Sequence, residues 1–163
     1  MKRRSLGALA AFALLFQLGA AHAATVVALG ASQTAGKGVS TSEAYPAQLE
    51  AMLRARGLDL TVVNAGISGD TTGGMMARLD SAVPKGTKVV ILQPGGNDLR
   101  KGGPNYTAEL RSRLNAMGVR VLMLPNEMFR GKPRQVDGQH LTPEGYHMLA
   151  QQLVGPVASA LLR

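Results

Sequence analysis

The 163-residue chain contains no cysteine and no tryptophan, and only three phenylalanines and three tyrosines. The missing thiol excludes disulfides, a thiolate nucleophile and a cysteine-ligated zinc. A domain of this length can hold itself together by packing, so the absence of disulfides is compatible with export. So few aromatics argue against a stacking platform for sugars. Acidic side chains are also scarce, 10 Asp and Glu against 18 Lys and Arg, for a formal net charge of +8. The basic residues, among them Arg54, Arg56, Arg100, Lys101, Arg113, Lys132 and Arg134, are scattered, with no dense run and no interleaved aromatics. That distribution describes a solvated surface and no nucleic-acid footprint.

The longest apolar stretch, Leu6 to Ala21, falls short of the roughly 20 residues that a membrane-spanning helix needs. It follows the basic head Lys2-Arg3-Arg4 and ends at Ala21-His22-Ala23, a small-x-small cleavage site. Residues 1–23 therefore read as a secretory signal peptide cleaved after Ala23. The mature domain, 24–163, is expected in the periplasm or outside the cell, with no membrane span after leader removal. The Arg3-Arg4 pair leaves both the general and the twin-arginine export routes open. Loss of three basic residues lowers the formal charge to +5, so part of the basicity belongs to the leader.

Beyond the leader, β-rich runs alternate with amphipathic ones. Thr25–Leu29, Leu60–Val63, Lys88–Leu92 and Val119–Leu124 are short apolar runs bounded by Gly, Asn or Pro, as buried strands are. Helices are predicted over Pro46–Arg56, where Leu49, Met52 and Leu53 share a face, and over Thr107–Met117, with a weaker one from Gly74 to Ala82. The last helix starts at the N-cap Thr142 with Pro143 in its first turn. Leu149, Leu153, Val157 and Leu161 recur every four residues as its apolar stripe, and Pro156 is expected to kink or divide it. Strand-helix alternation implies an α/β domain, a parallel sheet covered on both faces. Functional residues then gather beyond the carboxyl ends of the strands.

Three polar or Gly-rich segments follow the first three strands: Gly30-Ala-Ser32, Asn64 to Thr72, and Gln93-Pro-Gly-Gly-Asn-Asp98. A fourth, Asp137-Gly-Gln-His140, precedes the last helix. Ser32 alone reads as a turn residue as readily as a nucleophile. Asp137 and His140 carry more weight, because a carboxylate three residues before a His, across Gly138, can reach the ring, fix its tautomer and leave the other nitrogen to take a proton. His147, on the last helix with no carboxylate suitably placed, reads as structural. Gly69 permits close approach of its N–H, and Asn97 offers a side-chain NH₂; both are suited to an oxyanion and both are also ordinary turn residues. The segment Gly30 to Lys37 has five residues between Gly30 and the Gly36-Lys37 pair and Gly38 after it, so it is no phosphate-binding loop. The G-x-S-x-G elbow is absent around Ser32.

Ser32, Gly69 within Asn-Ala-Gly-Ile-Ser-Gly-Asp-Thr-Thr, Gly95-Gly-Asn97-Asp98 and Asp137-Gly-Gln-His140 occur in the order and at the strand ends of four blocks. In this the chain resembles the SGNH (GDSL-type) hydrolases, especially the small arylesterase, thioesterase and lysophospholipase branch. The resemblance implies a flavodoxin-like three-layer α/β/α sandwich. It also implies a serine ester hydrolase with catalytic Ser32, Asp137 and His140 and an oxyanion hole of Ser32 N–H, Gly69 N–H and Asn97. No metal or cofactor is implied, and the expected partner is a small-molecule or lipid ester.

Two departures stand out. Ala31 replaces the acidic residue of the GDS triplet, which leaves the Ser32 loop with one fewer fastening. Only 12 residues separate Leu124 from Asp137, which implies a trimmed four-stranded sheet and a short connection through Pro125 to Val136. The alternative to the enzyme is an SGNH-like domain that has lost activity through these changes and binds acylated glycan or lipid at the cell envelope.

Overall fold

Val26, Val27, Ala28 and Leu29 are all fully buried, so strand β1 (Ala24–Gly30) has both faces covered and its sequence shows no polar alternation. The computed structural model describes residues 24–162; the signal peptide and its cleavage site lie outside the described residues. β1 pairs in parallel with β2 (Leu60–Gly66) on one side and β3 (Thr87–Leu92) on the other, and β3 pairs in parallel with β4 (Arg120–Met123). The sheet has four strands in the order β2-β1-β3-β4: the alternation implied its parallel pairing, and the short Leu124–Asp137 interval its trimming to four strands.

The two-residue period of the strands sorts their side chains into two cores. Val26, Ala28, Val89 and Ile91 pack with Leu49 and Leu53 of helix α2 (Tyr45–Arg54) and with Leu149, Leu153 and Val157 of the C-terminal helix (Pro143–Leu161). Val27, Leu29, Val90 and Leu92 pack on the opposite face. There they meet Met75, Leu79, Leu110 and Leu114, from three helices over Thr72–Ala77 (α3), Leu79–Ala82 (α4) and Thr107–Ala116 (α6). Helix α1 (Ser32–Ala35) and helix α5 (Asn97–Lys101) are single turns at the ends of β1 and β3. The C-terminal helix is α7.

The structure differs from the sequence-based expectations in three places. β2 runs on through Asn64 and Ala65 to Gly66, where a loop was expected, because these residues extend the ladder opposite Ala28, Leu29 and Gly30. A Cβ on Gly66 would lie 2.2 Å from the Ala35 backbone nitrogen, so only glycine lets α1 lie against the strand. The helix expected from Gly74 to Ala82 is broken at Arg78, the shared boundary residue of α3 and α4. The Arg78 guanidinium bonds the Ala65 carbonyl at 2.9 Å and the Gly30 carbonyl at 3.3 Å, and pairs with Asp70 at 2.9 Å. Lastly, Pro156 does not divide α7, which is continuous over Pro143–Leu161. Pro156 and Gln152 both lie on the exposed side of the helix, where water can meet the carbonyl that loses its partner, and Gly155 has no side chain to crowd the ring.

Candidate active site

β1 runs between β2 and β3, and the chain departs from it in both directions, so the crevice at its carboxyl end is the topological switch point of the sheet. Ser32 is the first residue of α1 on one wall of that crevice, and Asn97 the first residue of α5 on the other. Both are buried, at 8% and 3% exposure. Ser32, Asn97, Arg100 and Arg134 line one cavity of about 310 Å³.

The third wall comes from the short connection after β4. Pro125 leads into a 3₁₀ turn over Asn126–Phe129, and Arg134 and Leu141 then form an antiparallel bridge. Within that bridge Gln135 N–H donates to the His140 carbonyl at 2.8 Å, and Gly138 N–H to the Gln135 carbonyl at 2.9 Å. Gly138, at φ +67°, closes the turn in the left-handed region that glycine occupies without strain. A tight hairpin thus does what a longer excursion would otherwise do, and it presents Asp137 and His140 to the crevice.

Asp137 Oδ1 accepts the backbone N–H groups of Gln139 and His140, each at 2.9 Å, while Oδ2 lies 2.5 Å from His140 Nδ1. These bonds, the one with the ring first, hold the Asp137 carboxyl well below the usual carboxylate range. His140 is buried, and its Nε2 lies 2.9 Å from Ser32 Oγ. A hydroxyl, an imidazole and an ionised carboxylate therefore stand in hydrogen-bonded sequence, in which a proton can pass from hydroxyl to ring while the carboxylate balances the charge.

Asn97 is held from both ends of its amide: Nδ2 donates to the Asp70 carbonyl at 2.6 Å, and Oδ1 accepts from Arg100. An NH₂ has two hydrogens, so one remains for the cavity. Gly69 is not among the residues lining this cavity. It sits in the turn after β2 at φ +80°, its carbonyl taken by Lys101 at 2.7 Å, and its N–H has no acceptor among the described residues. Asp98, next to Asn97, works elsewhere: its Oδ1 accepts the N–H and the hydroxyl of Thr72, tying α5 to α3. His147 bonds Gln48 and Gln151 on the helix surface, away from the crevice.

Two glutamines do work at the site that the sequence did not disclose. Gln93 is 2% exposed, and its Oε1 accepts Ala31 N–H at 3.0 Å, Thr34 N–H at 3.3 Å and the Thr34 hydroxyl at 2.9 Å. It fastens the turn that carries Ser32 from the end of β3. Ala31 itself is 2% exposed and packs in the apolar core with Met75 and Leu79, a position where a carboxylate would be costly. Gln33 donates to the Gln139 carbonyl at 2.7 Å and accepts from Tyr146 at 3.0 Å, so the residue after Ser32 also grips the turn that carries His140. Burial pushes the Tyr146 hydroxyl up to about 12, so it stays protonated and keeps donating.

Gln93→Leu is expected to strand two buried backbone donors, Ala31 N–H and Thr34 N–H, at a cost of about 1–3 kcal/mol each, and to leave the Thr34 hydroxyl only Tyr45 at 3.4 Å. By letting α1 shift on the order of 1 Å, it should also lower kcat/KM by about 100-fold. Thermal unfolding and ester kinetics measured on the same preparation check this. A lowered Tm with near-wild-type kcat/KM would show that Gln93 serves folding alone.

A family model described as GDSL-like lipase/acylhydrolase matches residues 28–125, a span that includes Ser32, Gly69 and Asn97 and stops short of Asp137 and His140. The chain is 38% identical over 120 residues to Esterase TesA of Pseudomonas aeruginosa, covering 70% of this chain and 59% of that protein. It is 34% identical over 119 residues to an Arylesterase of Vibrio mimicus, covering 68% and 60%. These matches thus span about three-fifths of the length of the curated relatives. The fold superposes with a TM-score of 0.71 on the crystal structure of the psychrotrophic esterase EstA from Pseudoalteromonas sp., at 21% identity over 85% of this chain and 99% of that one. The four-stranded parallel sheet, the matching family model and the sequence relatives agree: the chain belongs to the GDSL-like lipase/acylhydrolase family.

Proposed function

We propose that the protein is a serine ester hydrolase that works through an acyl-enzyme. The observation that carries this reading is the unbroken series Ser32 Oγ, His140 Nε2, His140 Nδ1, Asp137 Oδ2, with links of 2.9 and 2.5 Å on either side of the ring. Ser32 Oγ attacks the ester carbonyl as His140 Nε2 takes its proton, and Asp137 stabilises the imidazolium. The oxyanion receives the Ser32 N–H, which has no acceptor among the described residues, and the free amide hydrogen of Asn97, with the Gly69 N–H, likewise unpaired among those residues, as the third proposed donor. Collapse expels the alcohol or thiol with the proton from His140, and water then releases the acid by the same route, regenerating Ser32.

The rival reading, a binding domain without catalysis, drew on Ala31 and on the short connection before Asp137. Gln93 fastens the Ala31 N–H and so secures the turn without an acid at that position, and the Arg134–Leu141 hairpin carries His140 to Ser32. Both grounds for the rival are thereby weakened.

Labelling tests the proposal directly. One equivalent of a fluorophosphonate should add to the protein, and the modified peptide should contain Ser32. No adduct, or an adduct on another hydroxyl, would sink the mechanism. We further propose that the chain is exported, on the basic head, apolar run and Ala21-His22-Ala23 of residues 1–23. Mass spectrometry of the secreted or periplasmic fraction should give a mature N-terminus at Ala24; intact protein starting at Met1 in the cytoplasm would contradict this. Among the described residues, no helix is long and apolar enough to cross a membrane.

A further inference from the structure

The cavity at Ser32 is one-sided in charge. Arg100 and Arg134 both line it and no carboxylate does. The carboxylate ion pairs among the described residues are directed elsewhere: Asp70 pairs with Arg78, Asp80 with Arg113, Glu50 with Arg54, Glu127 with Arg130, and Asp137 with His140. Asp98 is turned to Thr72. Arg100 and Arg134 touch only neutral acceptors among the described residues. Arg100 reaches Asn97 Oδ1 and Gln139 Oε1, and Arg134 reaches the Gln139 and Phe129 carbonyls. A guanidinium has five N–H donors, so each keeps donors free for a ligand. Both contact Gln139, one at its side chain and the other at its carbonyl, so the two cations converge on the residue beside His140. Two converging forks without a protein counter-charge, beside the proposed nucleophile, match the planar pair of oxygens of a carboxylate or phosphate.

Resting on the reading of Ser32 as the nucleophile, we propose that Arg100 and Arg134 form a subsite for an anionic group carried by the ester substrate close to its scissile bond. The neutral contacts of both side chains hold the forks in place before substrate arrives, so less freedom is lost on binding. An ester with a terminal carboxylate on its acyl part and one with a phosphate on its alcohol part present the same chemistry from opposite sides of the scissile bond.

Matched substrate pairs separate these sources: mono-p-nitrophenyl succinate against p-nitrophenyl butyrate, and 1-butyrylglycerol 3-phosphate against 1-butyrylglycerol. The anionic member of at least one pair should show kcat/KM higher by about tenfold or more, as charge-assisted hydrogen bonds to arginine warrant. That preference should shrink as salt is raised. Arg134→Gln and Arg100→Gln should bring the ratio toward one, and Arg134→Lys should retain part of it. If the arginines only position Asn97 and the His140 turn, the variants will slow both members alike and leave the ratio unchanged, which overturns the proposal; so does a wild-type ratio near one in both pairs. Calorimetry with the Ser32→Ala protein supplies a readout independent of turnover. Absence of hydrolysis would count against the mechanism alone, while equal affinity for charged and neutral members would overturn the subsite.

Discussion

Ser32→Ala is expected to lower kcat for p-nitrophenyl acetate by about a millionfold, as loss of the nucleophile does in serine hydrolases whose groups act as a unit. The same reasoning gives two further expectations. His140→Ala alone should cost about as much, because a hydroxyl without its base is no better than an absent one. The double variant should then be scarcely worse than either single one. Folding should be little affected by Ser32→Ala, since the only described bond of Ser32 Oγ is to His140 Nε2, whose ring keeps its bond to Asp137. Any rate remaining above the uncatalysed one would come from the Asn97 amide and the backbone donors. Steady-state kinetics with single and double variants, beside thermal unfolding, form the check. A Ser32→Ala protein that keeps a few per cent of wild-type turnover, after contamination is excluded by the same phosphonate label, would remove Ser32 from the chemistry.

How far such a site could be read from the chain alone depended on the range of the interactions involved. The strands were legible because each is a short apolar run closed by Gly, Asn or Pro; β1 and β3, at the centre of the sheet, are buried on both faces and needed no alternation. Thr142-Pro143 marked the start of α7, and Thr142 indeed caps Gly145 N–H at 3.2 Å. Asp137 and His140 could be singled out together because their relation is local, three residues across a glycine. By contrast α1 and α5 are single turns, too short for a helical period to show. The end of β2 was hidden because Asn64-Ala-Gly66 looks like a turn, and only the partner residues Ala28 to Gly30 make it a strand. Gln93 and Gln33 were invisible for the same reason. Their partners are 62 and 106 residues away, and nothing in a glutamine's neighbours in sequence announces a contact with residues so distant in the chain. Even Ala31, which looked like a loss, has an explanation only in three dimensions, in the apolar packing around it and the Gln93 oxygen on its N–H.

Asp137→Asn should keep the fold and lose about 10⁴-fold in kcat, the size of effect seen when a triad carboxylate becomes an amide. The reason lies in how Asp137 divides its two oxygens. Oδ1 receives the Gln139 and His140 N–H groups, and an asparagine carbonyl can receive them equally well, so the turn should close as before. That choice puts the amide NH₂ where Oδ2 was, facing His140 Nδ1 at 2.5 Å. An NH₂ can only donate, so the ring must offer Nδ1 as an acceptor and carry its proton on Nε2. The nitrogen 2.9 Å from Ser32 Oγ is then a donor and no longer a base. The pH profiles should differ accordingly. With its carboxyl held far below the ordinary carboxylate range by the ring and backbone hydrogen bonds, Asp137 stays ionised through the pH interval in which a free aspartate titrates. Its contribution to stability is therefore present above the unfolded carboxylate range and is lost only as pH falls through the lower, folded value. Falling wild-type activity in acid should consequently carry no contribution from Asp137 across that interval, with a limiting slope no steeper than one in log(kcat/KM) against pH. A slope of two above pH 4 would show that Asp137 does titrate there. An Asp137→Asn protein with kcat within tenfold of wild type would show that the tautomer of His140 is fixed by something other than Asp137.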